Sequence, residues 1–328
     1  MNIKGVIFVS IILLAAAFIS GCTAPEDEKI TELNIGHQPS THQIAHMTAM
    51  EKGWWIEDLA PFGIETINEP QFPTGAPEMH SMLAGNIDIA YVGAAPVISA
   101  LSSGLDAKII AGVQTQGSNL VLRPGISYTG PEDLKGLKIA TFPAGTIQDT
   151  LLRDWLQDNN IDPETDLEII GMGPGDAKVA IAAEQVDGVF LPHPSPTIIE
   201  SEGSGISVMA SGEMSPNHAC CVLVVSGKLI RENPAMVEQI LKTHIKATEY
   251  NKENIVEAGE IFAEKTGLDV ESVNKSLNDW DGIWISDPNL IVDSTVDYAI
   301  VQYNLGYINT PLKQEDIFDL SFFETVNE

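Results

Sequence analysis

The chain has 328 residues and a formal net charge of −29, with 46 acidic against 17 basic side chains. Nucleic-acid binding needs a basic footprint, so this balance excludes it. Beyond Cys22 the only cysteines are the adjacent Cys220 and Cys221, which rules out a disulfide-stapled scaffold because neighbours in sequence close a strained ring.

In chain order, Met1 to Lys4 is a short charged start and Gly5 to Ile19 a continuous apolar run. That run has the length of a signal-peptide core and is short for a spanning helix. Ile19-Ser20-Gly21-Cys22 looks like a lipobox, in which the Cys22 thiol is lipidated and becomes the new N-terminus. Residues 1–22 are therefore read as a lipoprotein signal peptide, and the polar stretch 23–32 as a tether. The protein is expected at the extracytoplasmic face of the cell membrane, held by its lipid anchor.

From Leu33 onward short β-type runs alternate with helical ones. "LNIG", "IETI", "IDIAYV", "AKIIAGV", "NLVL", "LKIATF", "LEII", "DGVFL" and "CCVLVVS" read as strands, most with a helical segment after them. This alternation predicts α/β architecture with open, mostly parallel sheets. Past about Asn233 the pattern becomes a succession of helices stopped by Pro, Gly and Asn.

Ligand sites in open α/β sheets form beyond the carboxyl ends of strands. Seven such loops stand out: 36–47, 91–96, 114–120, 141–148, 171–175, 191–197 and 215–222. They contain no Asp, Glu, Lys or Arg, yet hold His37, His42, His46, His193 and His218, five of the seven histidines. They predict the walls of one neutral, polar cleft. Ser40 with Gln43 three residues on has the spacing of a capping box opening a helix. This places His42 in the first turn, with His46 on the same face. Gly93-Ala94-Ala95-Pro96 and Gly145-Thr146 bring small residues to helix starts, where free N–H groups and partial positive charge suit anions.

Several of these segments carry a resemblance. "AGNIDIAYVGAAP", "GLDAKIIAGVQTQGSNLVLRP", "PEDLKGLKIATFPAGTIQDTLLRDWL", "QVDGVFLPHPSPT" and "CCVLVVSGKLIRENPAMVEQIL" resemble, in order, the solute-binding proteins of nitrate, sulfonate and taurine ABC importers. That superfamily also includes thiamine-pyrimidine binding and synthase proteins. The resemblance implies a type II-like, two-lobed periplasmic-binding-protein fold with two open sheets, flanking helices and a ligand cleft between lobes. Lobe one would be 33–119 plus 222–328 and lobe two 120–221. It also implies hinge closure on a small anionic or polar solute (a sulfonate, oxyanion or pyrimidine-like compound), an ABC permease and its ATPase as partners, and a monomer. Ala144 stands where the family often has a lysine, and His193 where an acidic residue often precedes the proline.

The predicted ligand-binding set is His37, Gln38, Ser40, Thr41, His42, Gly93, Ala94, Ala95, Gln116, Ser118, Gly145, Thr146 and His193, with Cys22 as the lipidation site. His42 and His46 have the i,i+4 spacing of helical zinc sites, but no Glu lies between them and the cleft offers no acidic ligand. No metal and no cofactor are expected. "NHACCV" faintly resembles the His-Cys-Cys-Cys segment of the fungal thiamine-pyrimidine synthase, a metal-dependent enzyme. Here that cysteine run is shortened and the chain is exported, so no enzyme is expected. Cys220 and Cys221 read as small core hydrophobes. Tyr91 and Phe142, at strand ends, are candidates for stacking a planar ligand. Trp280 and Trp284 have no position assignable from sequence.

Overall fold

A computed structural model describes residues 30–328. The expected signal peptide, Cys22 and residues 23–29 of the expected tether lie outside the described residues. Among the described residues no helix is long and apolar enough to cross a membrane.

Among the described residues eleven strands build two sheets. β1 (Glu32–Gly36), β2 (Thr66–Asn68), β3 (Ile89–Gly93), β4 (Ala107–Thr115), β10 (Ala219–Ser226) and β11 (Ile283–Trp284) form the first, in the order β11-β4-β10-β3-β1-β2. β5 (Ser118–Leu122), β6 (Lys138–Thr141), β7 (Glu168–Gly171), β8 (Gly188–Pro192) and β9 (Ile206–Ala210) form the second, in the order β7-β6-β8-β5-β9. Each sheet with its helices is one lobe. The sheets are mixed rather than mostly parallel. β10, the strand that brings the chain back into the first sheet, runs antiparallel to both β3 and β4. β5, the strand that first enters the second sheet, runs antiparallel to both β8 and β9. Both crossing strands thus break the parallel order, as does the short edge strand β11, antiparallel to β4.

The hydrophobic runs explain the layering. β3 and β10 are buried almost throughout, as strands covered on both faces must be. Around the second sheet one apolar cluster joins Leu120, Ile139 and Phe190 to Leu151, Leu152 and Trp155 of the helix Ile147–Asp158. A separate cluster joins Val121, Ala140 and Val189 to Ala177 and Ile181 of the helix Pro174–Ala182. Each such side chain contributes about 1.5–3 kcal/mol by leaving water.

The first helical segment differs from the sequence expectation. Thr41–Gln43 is a 3-10 turn, and the α-helix begins only at Ile44. Ser40 makes no side-chain cap. The Gln43 side chain instead accepts from the Gln38 N–H at 2.6 Å and points its amide at Cys221 Sγ, 3.8 Å away. The change of helical pitch puts His42 and His46 into different surroundings.

The chain passes between the sheets at Gln116-Gly117, both at positive φ, and near Asn217, also at positive φ. Asp281 ties these passages together. Its carboxylate accepts from Gly117 N at 2.8 Å and from Gly212 N at 2.7 Å, while its carbonyl accepts from Gln116 Nε2 at 2.6 Å.

Candidate functional site

A cleft opens where the carboxyl ends of strands from both lobes meet. Its walls include Gln38, Ser40, His42, Gly93, Cys220 and Cys221 from the first lobe, and Phe142, Thr146, Gln148 and His193 from the second. None of the lining residues is Asp, Glu, Lys or Arg. Six of them are prolines: Pro39, Pro73, Pro96, Pro174, Pro192 and Pro194. Proline fixes φ and carries no N–H, so these walls are stiff and poor in backbone donors. The space open to the centre of a water molecule is about 40 Å³. One water needs roughly 10–15 Å³ by that measure, so the cleft as it stands admits an ion or a small polar group.

Close packing defines the floor. A Cβ on Gly75 would lie 2.6 Å from the Pro96 ring, and one on Gly93 would lie 3.1 Å from Ile147 of the opposite lobe. Gly93 caps the helix Ala94–Ser102 and Thr146 caps the helix Ile147–Asp158. Both helix starts therefore meet at the cleft, and their partial positive charge faces the same space.

Hydrogen bonds tie the two lobes beside this floor. Gly117 O accepts from His42 Nε2 at 2.9 Å and from the His193 backbone N–H at 3.0 Å. His193 O in turn accepts from Thr41 Oγ1 at 3.1 Å. Because a carbonyl only accepts, the His42 proton sits on Nε2 and the Nδ1 lone pair is free. Nδ1 lies 3.3 Å from Cys220 Sγ and 3.8 Å from Cys221 Sγ. The two sulfurs are 3.9 Å apart. Hydrogen bonding between the two thiols pulls Cys221 below, and pushes Cys220 well above, the ordinary cysteine range. His193 places Nδ1 2.8 Å from Ser276 Oγ and Nε2 3.3 Å from Asn119 Oδ1. Burial holds its pKa down at about 3, so it is neutral at pH 7.

Other predicted residues lie elsewhere. His37 sits behind the cleft against His46, ring centroids 4.8 Å apart, where burial lowers its pKa to about 3. Thr41 turns to His193 O and takes no place in the lining. Gln116 belongs to the passage between lobes. Ser118 lies behind the wall and accepts from Gln148 Nε2 at 3.1 Å. Ala94 and Ala95 are fully buried in the first turn of their helix. Gly145, at φ +80°, faces a neighbouring depression, and its carbonyl accepts from Gln302. These seven residues do not line the cleft: they serve packing, the passage between lobes or contacts behind the wall. Of the two aromatic candidates, Phe142 lines the cleft and Tyr91 does not; Tyr91 is buried with its hydroxyl on His244 Nδ1 at 3.1 Å.

Three features were not legible in the sequence. Trp280 packs against both His42 and His193, with ring centroids 5.6 and 6.3 Å away, and Trp284 Nε1 donates to Thr41 O at 3.0 Å. Glu78 is fully buried behind Gln38, whose amide donates to its Oε2 at 2.8 Å. Burial raises the Glu78 pKa well above the carboxylate range. The cysteines face the cleft because β10 carries an extra residue there: Ala219 pairs with Thr115 but Cys221 with Gln114, leaving Cys220 as a bulge.

The description NMT1-like family matches residues 26–263. The chain is similar to a putative aliphatic sulfonates-binding protein of Bacillus subtilis (strain 168), 27% identical over 332 residues and covering 98% of this chain and 96% of that one. Its structure is similar to the alkanesulfonate-binding protein SsuA of Xanthomonas axonopodis pv. citri bound to MOPS, with a TM-score of 0.78 at 18% identity, covering 88% of this chain and 99% of the other. It is similar also to the periplasmic nitrate-binding protein NrtA of Synechocystis PCC 6803, with a TM-score of 0.77 at 16% identity, covering 91% and 88%. The extent of the match and the two-sheet architecture lead to one conclusion: the chain belongs to the NMT1-like family and has the two-lobed α/β fold of the periplasmic binding proteins.

Proposed function

We propose that this chain is the solute-binding component of an ABC importer. It captures a small anionic or polar organic solute, with sulfonates and oxyanions first in order, and delivers it to a permease. The observation that carries the reading is the cleft itself. Residues of both lobes line it, no charged side chain enters it, and two helix N-termini converge on it. Such helix ends bind anions through backbone N–H groups and partial charge without a Lys or Arg. The relatives named for sulfonate and nitrate binding support the same class.

The proposed contacts are Gln38, Ser40, His42, Thr146, Gln148 and His193. The proposed lobes follow the sheets: β5 enters the second at Ser118 and β10 returns to the first at Ala219. The expected bounds, 33–119 plus 222–328 and 120–221, therefore move by two to three residues, and the proposed hinge is at Gln116-Gly117 and near Asn217. A solute touching both lobes binds the closed arrangement better than the open one, which is the condition for closure to be driven by binding. Cys22 is the proposed lipid anchor, placing a monomer at the extracytoplasmic face. No chemistry on the solute is proposed.

A thermal-shift panel on the full chain in detergent tests the reading. Methanesulfonate, taurine, nitrate, small carboxylates and pyrimidines are each compared with putrescine as a cationic control. A solute at 100 times its dissociation constant stabilises by roughly 2.7 kcal/mol. A shift with an anion and none with putrescine supports the reading. A shift with putrescine alone overturns the charge class.

A further inference from the structure

We infer that His42, Cys220 and Cys221 form a three-donor site for a thiophilic d10 metal ion, zinc(II) or copper(I), with a fourth coordination position facing the cleft. This goes beyond the solute-binding reading and does not depend on which solute the cleft takes.

The first ground is the spacing of the donor atoms. At Zn–S of about 2.3 Å and Zn–N of about 2.0–2.1 Å, a tetrahedral site has edges of about 3.8 Å between sulfurs and about 3.6 Å between sulfur and nitrogen. The two sulfurs are 3.9 Å apart, and His42 Nδ1 is 3.3 and 3.8 Å from them. An ion fits at their centre with no rearrangement of the backbone.

The second ground is the histidine tautomer. A ligating histidine usually donates its other N–H to a carbonyl or carboxylate, which fixes the ring and raises its basicity. His42 Nε2 donates to Gly117 O at 2.9 Å, leaving the Nδ1 lone pair aimed between the thiols. Gly117 allows this closeness: a Cβ there would lie 2.9 Å from that same Nε2.

The third ground is the strand itself. Adjacent residues in a regular strand point to opposite faces. The bulge at Cys220 cancels that alternation and turns both thiols to one side. Gln43 Nε2 then stands 3.8 Å from Cys221 Sγ, a donor suited to a thiolate. Two sulfurs and one imidazole select soft or borderline ions over magnesium or calcium. All three residues line the cleft, which gives the ion its entry path and its open position. On binding, each thiol releases its proton to solvent.

The test uses the full chain, stripped of metal under reducing conditions. Cobalt(II) serves as the spectroscopic probe. One equivalent should produce near-ultraviolet thiolate charge-transfer absorption together with the visible bands of a four-coordinate ion. Zinc(II) should displace it, and anaerobic copper(I) should be titrated in a parallel arm. The Cys220→Ser, Cys221→Ser double variant should weaken binding by roughly 100-fold or more, and His42→Ala by at least 10-fold, the scale on which even supporting partners matter. The second cluster, His37, His46 and Glu69, supplies the control. His46→Ala should leave cobalt binding and its sulfur band unchanged. Binding without a thiolate band, binding that survives the double cysteine variant, or no stoichiometric binding of cobalt, zinc or copper would each overturn the inference. With Cys22→Ser in every chain tested, a thiolate band can arise only from Cys220 and Cys221, and it decides the matter even where a further variant fails to fold.

Discussion

The carbonyl of Gly117 accepts the Nε2–H of His42 at 2.9 Å. Gly117 lies in the passage from the first sheet to the second, and His42 lines the cleft. One hydrogen bond thus couples the hinge to the binding wall, and the same carbonyl also receives the His193 N–H from the other lobe. Gly117 is at φ +83°, and a Cβ there would fall 2.4 Å from Gln114 Nε2. Gly117→Ala should therefore destabilise by about 1–3 kcal/mol through backbone strain and displaced neighbours. Urea unfolding followed by circular dichroism measures this; an unchanged midpoint would remove the steric claim.

His193→Ala should weaken solute affinity by about 1–3 kcal/mol, since it strips a buried hydrogen-bonding wall from the second lobe and leaves Ser276 and Asn119 without their partner. Calorimetric titration with the solute found in the thermal-shift panel gives the number. His37→Ala is the matched comparison. It should alter stability and leave solute affinity unchanged, because His37 packs behind the cleft against His46. Equal losses of affinity in both variants would mean that the cleft is misassigned.

Acid should destabilise the fold well before the carboxylates titrate. Burial lowers His37 from 6.5 to about 3 and His244 from 6.5 to about 4. A histidine whose folded pKa is depressed leaves stability intact above its unfolded pKa. As pH falls below 6.5 the unfolded chain binds protons that the folded chain refuses, and stability drops until the folded value is reached. The slope is roughly 1.4 kcal/mol per pH unit for each such group. The melting temperature should fall steeply between pH 6.5 and 4. A flat profile across that window would show that these rings are protonated in the folded state.

Glu78→Gln should stabilise the protein at pH 7. Burial raises the Glu78 pKa, so the folded state takes up a proton that the unfolded chain has released. The gain should shrink as pH falls toward the ordinary glutamate range, where the unfolded chain is protonated too. The bond from Gln38 survives, because an amide oxygen can accept in place of Oε2. Melting curves at pH 7 and pH 4.5 compare the two chains. Destabilisation at pH 7 would mean that Glu78 is held as a carboxylate.

Much of this was present in the order of residues. Alternating apolar runs determined the α/β class, because a strand buried on both faces needs a continuous hydrophobic sequence, as in "CCVLVVS". The absence of charge from the post-strand loops also marked the cleft, since charged groups cannot be desolvated there without partners. Contacts that depend on distant segments meeting were decided only by the tertiary structure. His42 and His46 look equivalent at i,i+4, yet a 3-10 turn sends one to Cys220 and the other to His37. Cys220 and Cys221 look like core residues until a bulge against Thr115 and Gln114 turns both toward the cleft. Trp280 reaches His42 across more than two hundred residues of chain. Local periodicity sets which elements form and which faces they bury. Register, bulges and crossings between lobes arise only when strands pair, and they decided which of the predicted residues line the cleft.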